Sequence, residues 1–136
     1  MIAFFDASAL IYLIEEAGPF ASQPRAELER LAQQHRTVGA AVSRLSWLKC
    51  RVRPAREEDL ETLAAFDAFF ARPDLVWVEL SREVVELATA IRVKHGLRTP
   101  AALQAASCLQ LGSQHMFITG DSAFRKITGL RVKVLR

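Results

Sequence analysis

Two acidic residues hold equivalent places in the 136-residue chain. Asp6 directly follows an apolar run at residues 2–5, and Asp121 follows another that ends at Thr119. In an open parallel α/β sheet, carboxylates at the ends of strands face the crevice where ligands bind. Two of them suit a hard divalent cation such as Mg²⁺, which takes one or two carboxylates and completes its shell with water and substrate phosphates. A metal held there would orient water against a phosphodiester. The competing reading is structural, because an Asp at a strand–helix turn also caps the next helix. Ser8 and Thr119, each two residues from one of the acids, are counted with the site as supporting residues.

The elements that must position these groups follow from periodicity and punctuation. Short apolar runs are expected as strands at 2–5, 37–42, 75–78, 116–119 and 131–135, alternating with longer helical patterns. Helices are expected at 8–14, 25–34, 43–53, 57–70, 82–95 and 100–111. Ser43 and Ser81 serve as N-caps, Gly96 as a C-cap, and Pro100 suits a first turn. Pro54 is expected to stop its helix. Alternation of this kind implies an α/β fold, a central parallel sheet of about five strands with helices on both faces.

Composition bounds the function classes. The length suits a single domain over residues 1–136, and 51% hydrophobic residues with a net charge of +3 exclude disorder and a histone-like coat. Cys50 and Cys108 form no Cys-x-x-Cys pair and read as buried thiols in a reducing cytoplasm. The apolar start lacks a basic region and is interrupted by Asp6, so neither a signal peptide nor a membrane span is expected. Glycine-rich phosphate loops and zinc-ligand spacings are absent. His35, His95 and His115 are expected at the surface or as caps, and Trp47 and Trp77 as packing residues.

Five fragments in order carry a family resemblance: Phe5-Asp6-Ala7-Ser8-Ala9-Leu10, Ser43-x-Leu45-Ser46, Gly96-Leu97-x-Thr99-Pro100, Ala102-Leu103-Gln104-Ala105-Ala106, and Phe117-Ile118-Thr119-Gly120-Asp121-x-x-Phe124. Together they resemble PIN domains of the VapC toxin type across nearly the whole chain. The resemblance implies a PIN-like three-layer fold, a Mg²⁺- or Mn²⁺-dependent endoribonuclease, an RNA substrate, a cognate antitoxin and a homodimer. It also implies four acids at the strand ends. Asp6 and Asp121 match the first and last, but Lys49 stands where a Glu is expected and Ala101 where an Asp is expected. An ammonium beside Asp6 and Asp121 would take the cation's place and repel a metal.

Three explanations fit these departures. The chain is a natural non-catalytic relative, or it is an inactivated copy of an active toxin, or Glu57, Glu58 or Asp59 substitutes for the missing acids. A non-catalytic module that binds RNA or an antitoxin is the alternative function. Arg44, Arg51 and Arg53 are the expected substrate contacts, holding phosphates without reading bases. Two further basic groups are Arg92, Lys94 and Arg98, and Arg125, Lys126, Arg131, Lys133 and Arg136. The helix at 25–34 and the surface of Phe66, Phe69 and Phe70 belong either to a partner groove or to the core.

Overall fold

The computed structural model describes residues 1–16 and 18–136. Along the chain run β1 (Ile2–Phe5), α1 (Ala7–Glu15), α2 (Gln23–Gln34), β2 (Gly39–Ser43), α3 (Arg44–Arg56), α4 (Leu60–Phe70), β3 (Leu75–Val78), α5 (Arg82–His95), α6 (Thr99–Leu109), β4 (His115–Thr119) and β5 (Val132–Val134). A short 3-10 turn, Ser122–Lys126, joins the last two strands.

All five strands pair in parallel in the order β3-β2-β1-β4-β5. Alternate residues of β1 serve two different cores, as the two-residue period of a strand requires. Ala3 and Phe5 join Leu10, Leu31, Phe66 and Ile118 on one face. Phe4 joins Val84, Ile91, Ala105 and Phe117 on the other. Chain progression runs outward from β1 through β2 to β3, then jumps back to β4 on the opposite side. The ends of β1 and β4 therefore flank the topological switch point, where ligand crevices form.

Several expected boundaries move for identifiable reasons. α1 starts at Ala7, one residue ahead of the expected start, because Asp6 caps it, its carboxylate accepting from the Ala9 amide at 2.9 Å. Pro54 does not stop α3; the helix continues to Arg56 with Pro54 buried in its last turn, where its missing N–H forgoes only the one bond to the Cys50 carbonyl four residues earlier. Residues 57–59 are a turn, with Glu58 at φ 53°, and Asp59 caps the shortened α4 through the Thr62 amide. His115 is fully buried rather than superficial. Its Nδ1 contacts the Gly112 carbonyl at 2.6 Å and its Nε2 accepts from the Arg131 amide at 3.1 Å. Trp47 remains 41% exposed. Ser43, Ser81 and Gly96 cap as their residue types dictate.

Candidate active site

Asp6 sits at the end of β1, only 5% exposed, and its carboxylate is engaged on both oxygens. Oδ1 accepts from the Ser8 hydroxyl at 2.7 Å and the Ala9 amide at 2.9 Å. Oδ2 accepts from the Thr119 hydroxyl at the end of β4. Burial pushes the Asp6 carboxyl above its ordinary range, while the bonds from Thr119, Ser8 and Ala9, and the charge of Lys49, pull the other way. The same burial, with the negative charges of Asp6 and Glu15, pushes the neighbouring Cys50 thiol up to about 12. Cys50 is thereby an inert packing group.

Thr119 links the two acids. Its hydroxyl donates to Asp6 and accepts from the Asp121 amide at 3.0 Å. The Ser8 hydroxyl likewise donates to Asp6 and accepts from the Gly120 amide at 2.9 Å. Asp121 itself is exposed, and its Oδ1 accepts from the Ala123 amide at 2.9 Å, capping the 3-10 turn. Both aspartates thus perform the capping role that competed with metal binding.

Lys49 does not occupy the cation position between the two carboxylates. Its side chain is exposed and forms no ion pair within 4.0 Å of Asp6 or Asp121 among the described residues. A four-methylene stem at the helix surface keeps the ammonium in water instead of burying it. Its field still reaches Asp6. Ala101, in the first turn of α6, contributes only a methyl group packed on the second core. One turn on, buried Gln104 donates to the Ser46 hydroxyl at 2.9 Å, which fixes the first turns of α6 and α3 beside each other at the strand ends. Glu57, Glu58 and Asp59 cannot substitute. They follow the far end of α3, about 20 Å along its axis from Ser43 at 1.5 Å per residue.

The donor set does not fit a divalent cation. One carboxylate already accepts three hydrogen bonds and keeps only one acceptor site, on Oδ2. The other is solvent-facing and capping, and the third and fourth positions offer an ammonium and a methyl. Among the described residues no group of three or more His, Cys, Asp or Glu is arranged to hold a metal.

Arg44, Arg51 and Arg53 are each held by a carboxylate: Arg44 by Glu79 at 2.7 Å, Arg51 by Asp67 at 2.9 Å, and Arg53 by Glu15. Tyr12 belongs to the site and was not singled out from sequence. A Cβ at Gly120 would lie 3.1 Å from the Tyr12 ring and 3.4 Å from the Ser8 hydroxyl, so Gly120 leaves room for both. The signal was available, since Tyr12 stands four residues after Ser8 and shares its helix face. Gln104 was legible as the one polar residue in an alanine-rich run.

A five-stranded parallel sheet in this order, with acids at the switch point, defines the class, and the sequence agrees. Residues 3–130 match the PIN domain, and the chain belongs to that family. No curated protein matches the chain. Solved structures with the same fold include VapBC2 from Rickettsia felis bound to a DNA fragment from its promoter, at TM-score 0.78 and 15% identity over 100% of both chains. A toxin–antitoxin complex from Klebsiella pneumoniae aligns at TM-score 0.67 and 21% identity, over 97% of this chain and 96% of that one. VapBC-1 from nontypeable Haemophilus influenzae aligns at TM-score 0.70 and 18% identity over 98% of each.

Proposed function

We propose that this chain is the toxin component of a toxin–antitoxin pair, a PIN endoribonuclease whose Mg²⁺ or Mn²⁺ site is disabled at two positions. The observation that carries this reading is the uneven state of the crevice. Asp6 and Asp121 remain at the switch point, tied together through Ser8 and Thr119, whereas Lys49 and Ala101 supply no ligand. The hydrogen bonds that hold Asp6 and the Asp121 turn are in place, while the two positions expected to add ligands carry an ammonium and a methyl. Such a chain folds, meets its partners and does not cut.

The partner reading rests on full-length likeness to chains solved in toxin–antitoxin complexes. It also rests on a groove of about 500 Å³ between α1, α2, β2 and α4, floored by Leu13, Ile14, Leu28, Val38 and Phe69 and rimmed by the ion pairs Arg25–Glu16 and Arg72–Asp74. An amphipathic antitoxin helix fits a floor and rim of that kind. The protein works in the cytoplasm as a single-domain chain that pairs with a second copy. No helix among the described residues is long and apolar enough to cross a membrane.

A non-catalytic binding module is the second reading, favoured by the three hydrogen bonds that the Asp6 carboxylate already accepts. Expression in a bacterial host separates the two. The double variant Lys49→Glu, Ala101→Asp arrests growth if the chain is a disabled toxin, and the unaltered chain does not. Equal growth with both, at equal protein levels, favours the module.

A further inference from the structure

Charge is divided along this chain. Residues 87–136 carry eight Lys and Arg and a single acid, Asp121, whereas residues 1–86 carry fourteen acids and ten bases. Folding widens the contrast. Every ion pair among the described residues lies within residues 15–86, and Arg44, Arg51 and Arg53 of α3 are already matched by carboxylates, with Arg56 the only arginine of that helix unpaired. In the last 50 residues, Arg92 is bound to the Leu97 carbonyl and Thr99 hydroxyl. The remaining seven cations are exposed with no carboxylate within 4.0 Å among the described residues.

Three of these free cations lie on elements that begin at the crevice. Arg98 precedes α6, whose first turns are held beside α3 by the Gln104–Ser46 bond. Arg125 and Lys126 occupy the last turn of the 3-10 segment that Asp121 caps. The others continue away along β5 and the end of α5. Val93 is the only large apolar side chain exposed in residues 87–136 among the described residues. The surface therefore lacks the apolar anchors that a membrane or a protein hot spot needs.

We infer that this acid-poor last third of the chain binds the phosphate backbone of single-stranded RNA, with Arg98, Arg125 and Lys126 as the contacts nearest the Asp6–Asp121 crevice. The inference rests on the RNA reading above and names the surface that serves it. A small anion cannot touch cations spread over α6, the 3-10 turn and β5, but a flexible polyanion can follow them. Free cations break no ion pair on meeting a phosphate, and each contact releases counterions. Arg51 and Arg53 would first have to leave Asp67 and Glu15.

Fluorescence anisotropy with a labelled oligouridine in metal-free buffer tests this directly, because binding is read without cleavage. The triple variant Arg98→Gln, Arg125→Gln, Lys126→Gln alters only exposed side chains and keeps the fold. Its affinity falls at least about tenfold in 0.1 M salt, and its slope of log affinity against log salt shrinks by about 2, as loss of three single-strand phosphate contacts requires. The comparison pair Arg51→Gln, Arg53→Gln loses less. Unchanged binding in the triple variant, with loss in the pair, overturns the surface assignment. No binding by the unaltered chain at low salt overturns the RNA reading itself. Tighter binding to duplex DNA than to RNA overturns the single-strand assignment.

Discussion

At the scale of single residues, the structure turns on how each polar group at the sheet ends is satisfied. Asp6 is a buried carboxyl raised above its ordinary value of 3.8, chiefly by burial. Between that pH and its folded value, the unfolded chain has released a proton that the folded chain keeps. Stability therefore falls as pH rises through that window, and the effect is absent below it. Asp6→Asn, neutral throughout, removes this slope. Urea midpoints measured from about pH 3 to about pH 7 will show a flatter profile for the variant; identical profiles would contradict the burial argument. His115 is the second such case. His115→Phe strands the part-buried Arg131 amide and Gly112 carbonyl, and urea unfolding should register a loss of about 1–3 kcal/mol. Sequence exposed Asp6 and Asp121 because each follows an apolar run. It could not expose His115, whose partners stand three and sixteen residues away and meet it only after the strands pair. The direction of the Lys49 side chain is not legible in sequence for a related reason: spacing fixes its helix position, but not whether its stem turns toward the carboxylates or into water.

At the scale of elements, α3 is fastened to the edge strand β3 by stacking more than by charge. The Arg44 guanidinium lies 3.9 Å from the Trp77 ring centroid and 5.3 Å from that of Trp47, and Arg51 lies 4.9 Å from Trp47. Phe70 of α4 meets Trp77 from another side at 5.4 Å. Trp77→Ala should destabilise by about 2–4 kcal/mol, as for a large aromatic removed from a packed site. Glu79→Gln, which breaks only the exposed ion pair to Arg44, should cost under about 1 kcal/mol. Chemical unfolding of the two variants checks the ranking, and the reverse order would make charge the fastener. Strand and helix identities were legible because capping residues and apolar periods agree at Ser43, Ser81 and Gly96. Boundaries at Pro54 and residues 57–59 were not, since a proline in a last turn and a left-handed Glu58 depend on tertiary packing rather than local preference.

At the scale of the whole molecule, two cores hold one sheet between helical layers, and the switch in strand order at β1 and β4 creates a single crevice. The fold was readable because its elements alternate strictly. Its function was readable only through the acids, and half of those are missing. The net charge of +3 conceals a chain whose ion pairs crowd its first two-thirds and leave the remainder basic. The central claim is that this scaffold is whole and its metal chemistry is disabled by Lys49 and Ala101. The most direct test is Mn²⁺ binding by calorimetry together with cleavage of a mixed RNA substrate, for the chain and for Lys49→Glu, Ala101→Asp. Metal binding and cleavage that emerge only in the double variant are the predicted result. Cleavage by the unaltered chain, abolished by Asp6→Ala, would contradict the account.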